Sequence, residues 1–108
     1  MKSKVVWSAQ IAKYVRSQSP ELRRVMGREI KKLSTWNGRE NPPAICHLED
    51  DLSGYSRLRI KSQRVVFRQD FENGQRVVKC LFAMERHTVY EVFRQLLLDE
   101  LFRQLLRR

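Results

Sequence analysis

Residues 54–90 decide the fold of this chain: they read GYSRLRIKSQRVVFRQDFENGQRVVKCLFAMERHTVY. Bases recur at every second position, Arg57, Arg59 and Lys61, with an aliphatic residue in each gap. Because side chains alternate between the two faces of a strand, this spacing predicts a strand with one cationic and one aliphatic face. A half-buried strand of this kind is suited to contact a polyanion.

Two further strands are predicted after the basic one, at about residues 65–69 and 75–84. Asn73 and Gly74 lie between them, and Asn-Gly is the strongest short signal for a two-residue hairpin. The last strand is apolar on both faces, which predicts a central position in the sheet with helices covering it. The segment therefore predicts an antiparallel β-meander of three strands.

The first half of the chain predicts a short strand followed by a helical hairpin. The apolar run at residues 5–7 is interpreted as an edge strand, and Ser8 as the cap of a first helix. Ser19 and Pro20 form a cap followed by proline at the first helical position, which starts a second helix within a hairpin of about residues 8–35. Residues 37–54, rich in turn-forming and acidic residues, predict a loop.

After Thr88 the apolar spacing becomes helical again and predicts a C-terminal helix over residues 89–108. This helix has more apolar residues than one narrow core-facing stripe needs, so part of it is expected to stay exposed and bind a partner. Its first half is expected to pack on the sheet, which leaves residues 101–108 as the interface. The apolar residues concerned are Phe93, Leu96, Leu97, Leu101, Phe102 and Leu105.

The chain is thus expected to be one α+β domain over residues 1–108. An N-terminal strand and a helical hairpin come first, then an antiparallel β-meander packed with helices, and then the C-terminal helix. At 108 residues the chain is long enough for one modest hydrophobic core.

The charge of the chain points to an anionic partner. Lys and Arg number 22 against 12 Asp and Glu, a net charge of +10. Nucleic acid, a ribosome surface or an acidic protein fits this excess. A membrane is not expected, because the bases do not lie on an isolated amphipathic helix and the apolar run ending at Trp7 is too short to span one. Two cysteines, Cys46 and Cys80, without a secretory signal favour the cytoplasm.

No cofactor is expected from the sequence. The two cysteines and two histidines lack the spacing of a zinc site, and no glycine-rich phosphate loop is present. The clearest acidic cluster, residues 49–51, is typical of a solvated turn, so no magnesium site is indicated.

The basic residues fit phosphate chemistry. Arginine binds two phosphate oxygens with its planar fork, but it is a poor base because it stays charged. Lys61 is a candidate base because neighbouring cations disfavour its protonated form. His87 is a second candidate, since histidine titrates near neutrality and this one follows Arg86. Tyr90 either belongs to the site or fills the core.

Three segments carry a resemblance to a known family: GYSRLR at 54–59, QRVVFR at 63–68 and ERHTVY at 85–90. Their order and the predicted order of elements resemble the RelE/ParE superfamily of bacterial toxin–antitoxin toxins, and RelE-like mRNA interferases in particular. The resemblance implies a RelE-like fold and a type II toxin that inhibits translation by cutting mRNA at the ribosome, without a metal. The attacking group would be the RNA's own 2'-hydroxyl, leaving cyclic phosphate or 3'-phosphate ends.

The resemblance also implies site residues. Met84 stands where some members of the superfamily carry an additional arginine, so the match is not complete. The implied catalytic residues are Lys61, Arg64, Arg86 and Tyr90. The implied RNA-binding residues are Arg57 and Arg59. Two more RNA-binding candidates come from the residues themselves: Arg68, a further base of the segment, and His87, beside Arg86.

The partners implied by the resemblance are a cognate acidic antitoxin, mRNA and the ribosome, with operator DNA bound only through the toxin–antitoxin complex. Homodimerisation through the C-terminal helix competes with antitoxin binding for residues 101–108. Two other functions stay open from the sequence: a ParE-like poison of DNA gyrase, and a nucleic-acid-binding module without catalytic activity.

Overall fold

The order of helices and strands follows the predicted one, with one additional strand between the helical hairpin and the β-meander. The computed structural model describes the backbone of residues 2–106 and the side chains of residues 2–101 and 104. Short 3-10 turns extend the second helix at Lys32–Ser34 and precede the meander at Asp50–Leu52. The main elements are β1 (Lys4–Trp7), α1 (Ala9–Arg16), α2 (Pro20–Lys31), β2 (Ile45–His47), β3 (Ser56–Ile60), β4 (Gln63–Glu72), β5 (Gln75–Glu85) and α3 (Val89–Leu106).

The strands form one five-stranded sheet in the order β1-β5-β4-β3-β2. Strands β2 to β5 pair antiparallel, and β1 lies at the edge, parallel to β5. The α+β fold and the β-meander are confirmed. Asn73 and Gly74 both have positive φ, 53° and 76°, as the predicted two-residue hairpin requires.

The prediction of a loop over residues 37–54 was wrong in part. Strand β2 lies within it and pairs with β3, with Cys46 opposite Arg57. It has three residues, too few to show an alternating pattern, and an edge strand needs little hydrophobicity of its own. The strand predicted at residues 65–69 is also longer, because β4 reaches from Gln63 to Glu72.

Two caps start the helical hairpin where the sequence predicts. The Ser8 side chain accepts a hydrogen bond from the Ile11 amide at 3.1 Å. The Ser19 side chain accepts one from the Leu22 amide at 3.3 Å, with Pro20 at the first helical position. Each cap satisfies an amide that has no partner inside its helix.

The sheet separates two hydrophobic cores. One face, here the α1/α2 face, carries the larger core, in which Val65 and Phe67 of β4 are fully buried. The other, here the α3 face, carries the smaller core. Strand β5 supplies both, with Cys80 on the first face and Phe82 on the second, as its two apolar faces predict. The buried members of the smaller core are Leu52, Val66, Phe82, Val89 and Phe93.

Helix α3 packs on the sheet through its first half only. Val89 and Phe93 are buried, whereas Leu96, Leu98 and Leu101 are 46%, 59% and 54% exposed. This confirms the expected division of the helix up to residue 101. The described residues do not include the side chains of Phe102 and Leu105, nor any part of Arg107 and Arg108. No helix within residues 2–106 is long and apolar enough to cross a membrane.

Candidate nucleic-acid interface

Neighbouring strands bring basic residues together at one end of the α3 face. Arg59 of β3 lies directly opposite Arg64 of β4, and Arg64 lies opposite Met84 of β5. Arg57 lies two residues from Arg59 and opposite Val66, so it shares the same face. The aliphatic residues between the arginines are buried on the other face, which confirms the predicted alternation of β3.

The predicted place of Lys61 on this strand face was wrong. Strand β3 ends at Ile60, and Lys61 is an exposed residue of the turn to β4. Its φ is +53°, in the left-handed region that residues other than glycine rarely adopt. A two-residue hairpin demands positive φ at its first position, and this turn requirement ends the alternation one residue before Lys61.

The residues after β5 add a fourth arginine, Arg86, to this group. The Arg86 amide donates a 3.0 Å hydrogen bond to the Ser62 carbonyl, which holds Arg86 beside the β3–β4 turn. Tyr90 follows in the first turn of α3 and packs half-buried against the smaller core. The turn between β5 and α3 thus places both residues at the same end of the sheet as Arg64.

These residues lie close enough to Arg64 for their charges to act on its guanidinium. Burial lowers the pKa of the Arg64 guanidinium, and the Tyr90 hydroxyl opposes this shift. The positive charges of three arginines lower the pKa further, those of Arg57, Arg59 and Arg86. Arginine remains charged at neutral pH despite such shifts. We call Arg57, Arg59, Arg64, Arg86 and Tyr90 the basic cluster.

The arginines of the basic cluster have no counterion within the described part of the chain. Three arginines elsewhere do have one: Arg28 lies 3.3 Å from Glu29, Arg68 lies 3.1 Å from Asp70 and Arg94 lies 2.9 Å from Asp51. Like charges directly opposite each other destabilise a sheet, so the arrangement opposes stability unless an anion binds. An oligoanion with closely spaced charges fits this need.

Hydrogen bonds fix the direction of the Arg64 side chain. Its Nη1 donates to the carbonyls of Lys61 at 2.9 Å and Gln63 at 2.8 Å. Both bonds use one nitrogen, so Nε and Nη2 have no hydrogen-bond partner among residues 2–101. A guanidinium held in this way can present two donors to one phosphate.

His87 and Arg86 contact each other at the rim of the cluster. The Arg86 Nε donates to the His87 Nε2 at 3.4 Å, and both side chains are exposed.

Arg68 lies apart from the other predicted RNA-binding residues. It is four residues from Arg64 along β4, about 13 Å at the usual rise of a strand. Its Nε donates to Asp70, which also pairs with Lys79 at 3.2 Å. Its role in RNA binding stays a prediction, and the structure does not bring it into the basic cluster.

A polar layer from α1 supports the strands that carry the cluster, and the sequence did not reveal it. The Gln10 amide group donates to the Ala83 carbonyl at 2.7 Å and accepts from the Ala83 amide at 2.8 Å. The Tyr14 hydroxyl donates to Gln63, the residue before Arg64. Burial raises the pKa of Tyr14, and the nearby Glu85 raises it further.

Residues 2–101 contain no group of three or more His, Cys, Asp or Glu side chains arranged to hold a metal ion. Cys80 is buried, and this burial raises its pKa to about 12, consistent with a small core residue. Cys46 is exposed, and both thiols are free.

Comparisons with solved structures identify the fold. A toxin–antitoxin complex, RelBE2, from Mycobacterium tuberculosis superposes with a TM-score of 0.65 at 18% identity, over 80% of this chain and 93% of that one. The archaeal RelE–RelB complex from Pyrococcus horikoshii gives 0.63 at 20% identity, over 81% and 98%. A YoeB/ParE toxin from Agrobacterium tumefaciens gives 0.61 at 14% identity, over 78% and 99%.

No protein-family model and no curated protein sequence matches the chain. The structural likeness covers nearly the full length of the similar toxins, so this chain has the RelE-like toxin fold. The fold expected from the sequence is thereby confirmed.

Proposed function

We propose that this protein is the toxin of a type II toxin–antitoxin system and an endoribonuclease that cleaves mRNA at the ribosome. The observation that carries the proposal is the basic cluster, in which four arginines without counterions and one tyrosine converge at one end of the sheet. The RelE-like fold supports the same conclusion, because two of the similar structures are toxin–antitoxin complexes.

The proposed reaction is an internal transfer within the RNA. The 2'-oxygen attacks the adjacent phosphorus while a base takes its proton. The bond between phosphorus and the 5'-oxygen of the next nucleotide breaks, and that oxygen takes a proton from water. The product is a 2',3'-cyclic phosphate. Arg64 and Arg86 stabilise the charge that develops on the phosphate oxygens, a role that can also be filled by a metal ion. Arg57 and Arg59 hold the flanking phosphates, and Tyr90 contacts the scissile nucleotide beside Arg64.

The proton acceptor in this proposal is either Lys61 or His87. Both are exposed at the rim of the cluster, Lys61 in the turn bonded by Arg64 and His87 in contact with Arg86. A neutral imidazole accepts a proton directly, whereas a lysine must first lose its own. The two groups therefore predict different dependence of the rate on pH.

The proposed partners follow from charge and from the exposed half of α3. A net charge of +10 favours the ribosome and mRNA as ligands and an acidic antitoxin as inhibitor. Leu96, Leu98 and Leu101 offer an apolar surface that an amphipathic helix of the antitoxin can cover. Operator DNA would be bound only through that complex, and the site of action is the cytoplasm.

Cleavage of mRNA in a translating extract tests the proposal. Replacing both arginines, Arg64→Ala/Arg86→Ala, should lower cleavage by at least about 100-fold, as expected for lost transition-state stabilisation. Arg28→Ala is the matched control, because it removes an exposed, paired arginine on α2 and should leave cleavage unchanged.

The assay also separates the two other candidate functions. If the wild type leaves mRNA intact but produces gyrase-dependent DNA breaks, the protein is a gyrase poison. If it binds RNA and cleaves neither nucleic acid, it is a binding module, and Met84 beside Arg64 would mark the missing catalytic position.

A further inference from the structure

A second surface with affinity for nucleic acid lies at the opposite end of the sheet. An open cleft of about 640 Å³ is bounded by the β4–β5 hairpin, the N-terminal residues and the segment after α2. It lies on the α1/α2 side, because Phe71 follows Phe67 by four residues along β4 and shares its face. The cleft is therefore separate from the basic cluster, which lies on the α3 face.

Phe71 contributes an aromatic ring to this cleft, and among residues 2–101 this ring packs against no other aromatic ring. Phe71 is 75% exposed, more than any other large hydrophobic residue within residues 2–101. It pairs across the hairpin with Arg76. A phenylalanine at a hairpin tip contributes nothing to the core there, so its ring face is available to a ligand.

The charge in the cleft is positive. Lys2 and Arg76 line it, and none of its lining residues is acidic. Arg76 is fixed in place: its Nε donates to Ser3 at 2.6 Å, its Nη1 to Gln69 at 3.1 Å, and its Nη2 to the Trp36 carbonyl. Its guanidinium also lies 5.6 Å from the centre of the Trp36 ring. The result is a fixed cation beside an exposed one, Lys2.

Amide side chains also line the cleft. Asn73 lies in the hairpin turn and Gln75 directly after it, and neither makes a side-chain hydrogen bond to the described residues. An amide offers both donors and an acceptor, which suits the edge of a nucleobase. The cleft thus joins a free ring face, amide groups and cations within one surface.

We propose that this cleft binds an unpaired nucleotide of RNA, with the base stacked on Phe71 and its phosphate held by Lys2 and Arg76. Aromatic platforms beside a cationic surface are the usual means of binding single-stranded nucleic acid without sequence readout. The proposal goes beyond RNA cleavage, because it assigns a second contact that anchors RNA away from the basic cluster.

The test uses the full-length protein and a trinucleotide with 2-aminopurine at its centre, whose fluorescence falls when the base stacks. A trinucleotide is too short to reach both sites. The parent protein carries Arg57→Ala/Arg59→Ala, which weakens the basic cluster and so increases the share of the binding that the cleft contributes. In this background Phe71→Leu should weaken binding roughly 5- to 100-fold, as expected for the loss of one base–aromatic stack.

Two companion variants define the chemistry of the site. Phe71→Tyr keeps the ring and should bind within about twofold of the parent, since stacking needs only the aromatic face. Leu98→Ala is the matched control, because it alters another exposed apolar residue and should not change binding.

Equal binding by the Phe71→Leu variant and its parent would overturn the proposal, and so would the absence of quenching in the parent. Because no cleavage is measured, failure here leaves the proposed endoribonuclease untouched, and loss of cleavage elsewhere leaves this site untouched.

Discussion

At the scale of single residues, charge repulsion in the basic cluster links stability to function. Arg59 and Arg64 lie opposite each other without a carboxylate between them. A sheet tolerates such a pair at a cost of roughly 0.2–1 kcal/mol. A phosphate bound between the two guanidinium groups would reverse that cost.

We therefore expect Arg59→Gln to stabilise the fold while weakening the binding of RNA. The free energy of unfolding should rise by up to about 1 kcal/mol, measured by urea denaturation. RNA affinity should fall, and its dependence on salt should become shallower by about one unit of slope, because one phosphate contact is lost. A variant with unchanged affinity at low and high salt would remove Arg59 from the binding surface.

Substitutions can show which of Lys61 and His87 accepts the proton. Lys61→Gly should raise the free energy of unfolding by up to about 1 kcal/mol, because glycine adopts the left-handed conformation of this turn without strain. A loss of cleavage of about 100-fold or more, in either Lys61→Gly or His87→Gln, would identify the proton acceptor. Full activity in both variants would exclude both residues as the base.

At the scale of elements, α1 positions the strand ends that carry the arginines. Strand β1 stops at Trp7, and beyond it Gln10 occupies the free edge of β5 with two hydrogen bonds to Ala83. Ala83 precedes Arg86 by three residues, so the side chain of Gln10 fixes the path of the chain toward the cluster.

Gln10→Ala should therefore affect the chemical step more than the binding of RNA. Exposed edge groups of β5 would bond to water, and the end of the strand would lose its fixed register. We expect kcat to fall several-fold while KM stays nearly constant, with the fold retained by circular dichroism. Gln10→Glu keeps only the hydrogen-bond acceptor and should restore part of the lost kcat. If activity and the free energy of unfolding fall together, Gln10 has only a structural role.

Helix α3 allows a second test at this scale. Its described side chains beyond Leu97 are exposed, so a chain ending at residue 100 should keep a cooperative thermal transition within about 4 °C of the full-length value. Its affinity for the antitoxin, or for a second copy of itself, should fall. A shortened protein that fails to fold would show that residues 101–108 belong to the core.

Individual elements show how far the sequence alone could predict this structure. Alternation in β3, the Asn73–Gly74 turn and the caps at Ser8 and Ser19 are local signals, and the structure confirms them. Strand β2 was missed because three residues at an edge carry no pattern. The hydrogen bonds between Gln10 and Ala83 join residues 73 positions apart, and neither local sequence predicts them.

At the scale of the whole molecule, two of its positively charged surfaces lie on opposite faces of the sheet. The basic cluster lies at the Arg64 end of β4 on the α3 face, and the Phe71 cleft lies at the other end on the α1/α2 face. Along β4 the two positions are seven residues apart, about 23 Å at the usual rise of a strand. Only an RNA longer than a trinucleotide can contact both surfaces at once.

The endoribonuclease proposal rests on attack by the RNA's own 2'-hydroxyl within the basic cluster. The most direct measurement uses an mRNA that carries a single 2'-deoxynucleotide immediately before the mapped cleavage site, in a translating extract with the wild-type protein. The account predicts that the all-ribose mRNA is cut to a product with a 2',3'-cyclic phosphate, and that the deoxy substitution abolishes the cut at that position. Equal cleavage of both mRNAs at that position would contradict the account.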